Sequence, residues 1–278
     1  MKKELLSCLL AAGMLTSCGT STNSSKSSNT ESIKAEEKSA DRETVFQVSL
    51  LQGLTLGDYY GSITVNELKQ NGDTGIGTFE GVNGELIMVD GTVYRALSDG
   101  SIETAPDDET IPFANITFFD TDENQDISGV QSIDALKELL NEKINALGKN
   151  RFYMVRIDGA FKKVYARSEL KQNEPYKPLA EALKTDQREF NWNNIEGTVV
   201  ALYCPEYMND LNAVGWHMHF ISSDKSKGGH LLDIDIDNAN VRIDSTQGFN
   251  MLLPETKMFQ TLDLTVDQSD DIKNVETK

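Results

Sequence analysis

The sequence predicts a strand-rich protein of the α/β class, of the α+β kind, with its chemistry gathered in one short segment. Three observations predict this. Short runs of alternating apolar residues, bounded by Gly, Asn and Asp, recur from Thr44 to about Asp263. Only one long stretch, Ser132 to Leu147, has strong helical periodicity. All three histidines, His217, His219 and His230, fall within fourteen residues of a 278-residue chain.

The elements follow in order. Val45 to Leu51 reads as a strand and Gly57 to Gly61 as a turn. A short helix is expected over Thr64 to Gln70, with Thr64 as N-cap and Gly72 beyond its end. Gly77 to Gly81 and Gly84 to Arg95 are β-rich, and Asp90-Gly91 between apolar runs is a hairpin turn. Phe113 to Phe119 is a further strand. In the helix from Ser132, Ile133, Leu136, Leu139, Leu140, Ile144 and Leu147 share one face, and Gly148 ends it. Phe152 to Ile157 and Lys162 to Ala166 read as strands around Asp158-Gly159. Pro178 to Thr185 is a short helix, and beyond Gly197 the chain is β-rich.

The chain divides into four parts. Residues 1–18 have a basic start at Lys2 and Lys3 and an apolar stretch, Leu5 to Leu15, too short to span a bilayer. The ending Leu15-Thr16-Ser17-Cys18 resembles a bacterial lipoprotein cleavage box, with Cys18 lipidated. Residues 19–44 form a Ser/Thr/Asn-rich tether with too little apolar surface to offset chain entropy, so disorder is expected. The folded part is 45–264, and 265–278 is an acidic tail. An exported lipoprotein follows, anchored at the bacterial cell surface or in the periplasm and touching the membrane only through Cys18.

A net charge of −18 and a pI near 4.5 exclude nucleic acid as a partner and electrostatic docking on anionic membranes. Two of the three cysteines lie in the leader, so no disulfide framework is expected, and Cys204 reads as a small core residue. Asp120-x-Asp122-x-Asn124-x-Asp126 starts like a calcium loop but lacks its glycine and closing glutamate. Asp233, Asp235 and Asp237 alternate with isoleucine as the solvated face of a strand.

On a strand, His217 and His219 share a face. Ser222 to Gly229 has the composition of a hairpin loop, and His230 returns on the next strand. With matching register, three imidazoles meet one ion at about 2.0–2.1 Å, with a ligand position left open, the pattern of a catalytic zinc. Iron, copper or nickel accept the same ligands.

Four stretches resemble the α-acetolactate decarboxylase family. They are Gly75-Ile76-Gly77-Thr78-Phe79 through Gly84-Glu85-Leu86-Ile87; Ile111-Pro112-Phe113-Ala114 to Phe118-Phe119; Val155-Arg156-Ile157-Asp158-Gly159; and Gly215-Trp216-His217-Met218-His219-Phe220 through Gly228-Gly229-His230. The resemblance implies one zinc per chain on the three histidines. It implies Glu85, Arg156 and Glu255 as catalytic residues around the open side of the metal, and Thr78 as a lining residue. It also implies a mixed-sheet domain and a mostly antiparallel, barrel-like domain carrying the metal, divided near 165–195, in a homodimer.

The implied reaction is loss of CO2 from 2-acetolactate to give acetoin. The metal would act as a Lewis acid stabilising an enediolate, with a glutamate as proton donor. The alternatives are a zinc hydrolase and a non-catalytic metal-binding surface lipoprotein.

Overall fold

The computed structural model describes residues 42–276, so the leader, Cys18 and nearly all of the tether lie outside the described residues. In chain order the elements are β1 (Thr44–Val48), α1 (Leu51–Thr55), β2 (Ile63–Thr64), α2 (Val65–Leu68), β3 (Thr74–Thr78), β4 (Glu85–Val89), β5 (Thr92–Ala96) and β6 (Ile102–Thr104). Then come β7 (Thr110–Ile111), β8 (Phe113–Thr117), β9 (Glu123–Val130), α3 (Ile133–Leu147), β10 (Phe152–Glu169) and α4 (Leu179–Asp186). The chain continues through β11 (Gln187–Cys204), β12 (Gly215–Ser222), β13 (Gly228–Thr246), β14 (Gly248–Leu252) and α5 (Ser269–Glu276).

Seven strands form a mixed sheet in the order β14-β1-β8-β3-β4-β5-β6, and only the β1–β14 pairing is parallel. The second sheet runs β10-β11-β12-β13-β9, and a further β10–β13 pairing closes its first four strands on themselves. The barrel-like antiparallel unit is therefore present beside the mixed sheet.

Local rules account for several elements. Asp90 and Gly91 both have positive φ, 51° and 74°, as a tight hairpin between β4 and β5 requires. Thr64 and Glu67 form a reciprocal capping box on α2. The Ser132 hydroxyl accepts from the Ala135 amide at 3.2 Å, and α3 buries Leu136, Leu140 and Ile144.

The layers follow from apolar alternation. One face of the barrel strands, with Tyr153, Val155, Val199, Ala201, Met218 and Phe220, packs under α3. The Trp216 indole N–H donates to Asn141 on that helix at 2.8 Å. The opposite face, with Met154, Val200, Leu202 and Ile221, packs on Ile76, Ile87 and Val89 of the mixed sheet.

Two expectations change. Asp158-Gly159 is not a turn, because β10 runs unbroken through it. A Cβ at Gly159 would lie 2.3 Å from the Asn238 carbonyl, so the glycine permits close strand approach instead. Asp122, Asn124 and Asp126, already set aside as a calcium loop, accept hydrogen bonds from Ser245 and Asn240 along the β9–β13 edge. The acidic tail contains α5, which buries Ile272 and Val275.

Candidate metal centre and its pocket

β12 and β13 form the hairpin that places the histidines. His219 pairs directly with His230, and His217 lies two residues back along β12 on the same face. All three are buried, and their donor nitrogens lie within 4.8 Å of one another. The Nε2 atoms of His217 and His219 are 3.0 Å apart. Three donors about 2.0–2.1 Å from one ion at tetrahedral angles lie roughly 3.4 Å apart, so this cluster is already close to a zinc-ligating arrangement. His219 Nδ1 lies 2.8 Å from the Leu86 carbonyl. That carbonyl can only accept, so the proton sits on Nδ1 and Nε2 keeps its lone pair for a cation.

Electrostatics favour the same state. Burial pushes the His217 imidazole down to about 3, helped by the Arg167 and Lys137 charges. Burial, then His217 and Arg167, hold His219 well below its ordinary value, against the bond to Leu86. Neutral imidazoles are the form that ligates metal.

The facing wall comes from β3 and β4. Glu85 and Thr78 are cross-strand partners, both buried. Glu85 Oε2 lies 3.4 Å from His219 Nε2. The Thr78 hydroxyl donates to the Gly84 carbonyl at 2.8 Å. Between the walls is a hollow of about 40 Å³ lined by Thr78, Glu85, His217, His230, Arg167 and Glu169 on its polar side. Leu51, Leu54, Val82, Phe113, Leu179, Leu183 and Val275 close it with apolar surface.

Two of the expected residues are elsewhere. Arg156 is separated from His219 by Val200, across β11, and its guanidinium turns to Asp90 at 2.5 Å. The arginine in the hollow is Arg167, paired with His230 across the β10–β13 ladder. Glu255 is exposed on the segment after β14 and does not line the hollow. The C-terminal segment reaches the hollow further on, at Val275, whose carbonyl accepts from Arg167 Nη2 at 2.6 Å. The sequence pattern that pointed to Arg156, a Val-Arg-Ile-Asp-Gly stretch, contained no information on which end of a long strand meets the histidines. A polar pair, Arg167 and Glu169, at the end of an apolar strand was the available signal.

Residues 45–266 match the α-acetolactate decarboxylase family. The chain belongs to that family. The α-acetolactate decarboxylase of Methanosarcina mazei is 36% identical over 256 residues, 91% of this chain and 88% of that protein. The Brevibacillus brevis α-acetolactate decarboxylase is 39% identical over 226 residues, 81% of this chain and 78% of that protein. The crystal structure of α-acetolactate decarboxylase from Bacillus subtilis strain 168 superposes with a TM-score of 0.81 at 36% identity. It is matched over its whole length and covers 84% of this chain. The protein is accordingly a carboxy-lyase with the sheet-rich α+β fold of the acetolactate decarboxylases.

Proposed function

We propose that this acetolactate decarboxylase converts 2-acetolactate to acetoin and CO2 with one zinc per chain on His217, His219 and His230. The observation that carries the reading is the set of three buried, converging histidines, with Arg167 beside His230 and with Glu85 and Thr78 on the facing wall of one hollow. In the reaction the bond between C2 and the carboxylate carbon breaks. Its electron pair passes into the neighbouring ketone, CO2 leaves, and the resulting enediolate takes a proton on carbon to give acetoin. Zinc, when bound, supplies Lewis acidity toward the oxygens where that charge develops.

The chain's own residues do the rest. Arg167, buried beside His230, orients the substrate carboxylate by charge-assisted hydrogen bonds. Glu85, beside His219 Nε2, is placed to deliver the proton to one face of the enediolate. Leu51, Leu54, Val82 and Leu179 give the alkyl groups an apolar wall and exclude water. The same reading keeps the protein as a homodimer anchored through a lipidated Cys18, to be checked by light scattering and by mass analysis of its N-terminal peptide.

The deciding experiment measures acetoin formed from 2-acetolactate by the purified protein, before chelation, after it, and after zinc is restored. Loss and recovery of acetoin, with no activity in His219→Ala, is the expected result. Bound zinc with no acetoin would overturn the reading.

A further inference from the structure

The hollow contains a carboxylate that the expected site residues do not include. Glu169 is 4% exposed, two residues beyond Arg167 near the end of β10. Its Oε1 lies 3.3 Å from Arg167 Nη1. The same Nη1 donates to Gln187 Oε1 at 3.0 Å, and Gln187 is the cross-strand partner of Glu169 on β11. Nη2 is held by the Val275 carbonyl. Among the described residues Arg167 Nε has no acceptor. Three acceptors from three elements therefore fix the guanidinium from its Nη atoms. The negative charge of Glu169 also reaches Tyr59, whose buried phenol is held well above its ordinary value by burial first and by Glu169 second.

We propose that Glu169 is a positioning and charge-compensating residue, which fixes Arg167 and sets how strongly it holds a substrate carboxylate. This rests on the reading that Arg167 binds that carboxylate. The physical reason lies in the reaction. A decarboxylase moves negative charge off the carboxylate in the transition state. A buried, uncompensated arginine would hold the ground state most tightly at the group that must become neutral CO2, and tighter ground-state binding lowers turnover. A fixed counter-anion weakens that hold while keeping the guanidinium in place.

The test compares Glu169→Gln, Glu169→Asp and Gln187→Glu in the zinc-loaded, full-length protein. Two unreactive probes are bound by calorimetry: 2-hydroxyisobutyrate, which carries the carboxylate and hydroxyl, and acetoin, which carries no charge. Removing one buried charge close to the anion is expected to tighten 2-hydroxyisobutyrate on the order of tenfold in Glu169→Gln. Acetoin affinity should stay unchanged, and both KM and kcat for 2-acetolactate should fall. Glu169→Asp should restore the wild-type ratio of the two affinities. Gln187→Glu, which adds a second negative group on the same Nη1, should shift 2-hydroxyisobutyrate the opposite way, and it decides the matter should Glu169→Gln fail to fold. Equal shifts for both probes, or none, would leave Glu169 a packing residue and overturn the proposal. The binding arm needs no turnover, so wild-type protein that makes no acetoin would overturn the reaction and not this role.

Discussion

Arg167 stands directly across from His230 on neighbouring strands, while Arg156, on the same strand, is bound to Asp90. Both point away from the core under α3, because the in–out alternation of β10 shifts by one residue between them. From Tyr153 to Phe161 the odd-numbered residues of β10 enter the core under α3; beyond it Val164 and Ala166 do. The change coincides with register irregularities against β13 around residues 160–163, and with Asn194 opposite at φ 52°. Arg167 is thereby turned toward the histidines.

Arg167→Ala is expected to lower kcat/KM by about 10²–10³, the usual effect of deleting a group that stabilises reacting charge. Arg156→Ala should change kcat/KM far less. The Asp90 left behind is mostly exposed, so the loss of stability should come from the packing of the buried Arg156 stem and not from a stranded charge. Steady-state kinetics and thermal melts of both variants check this, and a reversed order would return Arg156 to the site.

Glu85 and Glu255 should separate just as clearly. Glu85→Gln removes a buried carboxylate beside His219 and should cost about 10²–10⁴ in kcat, the range for general acid catalysis. Glu255 is exposed, and Glu255→Gln should stay within about twofold of wild type, as for most surface substitutions. A large loss in the second variant would mean that its segment closes over the hollow during turnover.

Metal removal should destabilise the fold as well as stop the reaction. A ligand that binds only the folded state raises stability by about 2.7 kcal/mol at a hundredfold excess over its Kd. Chelation is therefore expected to lower Tm by several degrees, and elemental analysis of untreated protein should give one zinc per chain. An unchanged Tm after complete stripping would count against a metal bound by the three histidines.

Asp244 predicts a pH dependence away from the metal. It is 1% exposed, and burial, then Asp120, Asp122 and Glu43, push its carboxyl up to about 8, against a backbone hydrogen bond from Asp120. The folded protein thus binds this proton more tightly than the unfolded chain, where the value is 3.8. The resulting stability is full below 3.8 and is lost as pH rises through the folded value near 8. Asp244→Asn should accordingly raise Tm most above pH ~8 and least near pH ~5. A difference in Tm that stays constant with pH would contradict this.

Much of the architecture was legible because it rests on local rules. Asp90-Gly91 specified a hairpin, Ser132 and Gly148 bounded α3, and His-x-His before a turn implied two ligands on one face. Asp158-Gly159 misled because glycine serves both turns and close strand contacts, and only Asn238 on β13 decides between them.

The sequence by itself pointed to the three histidines as a metal-ligating set, since strand periodicity and a short hairpin fix where neighbouring side chains point, while Glu85 was implied by the family resemblance alone. The tertiary structure alone decided which arginine lines the hollow, where Glu169 lies, and that the C-terminal helix reaches the hollow at Val275. Those depend on an irregularity midway along an eighteen-residue strand and on contacts between segments more than a hundred residues apart. Periodicity carries no information about either.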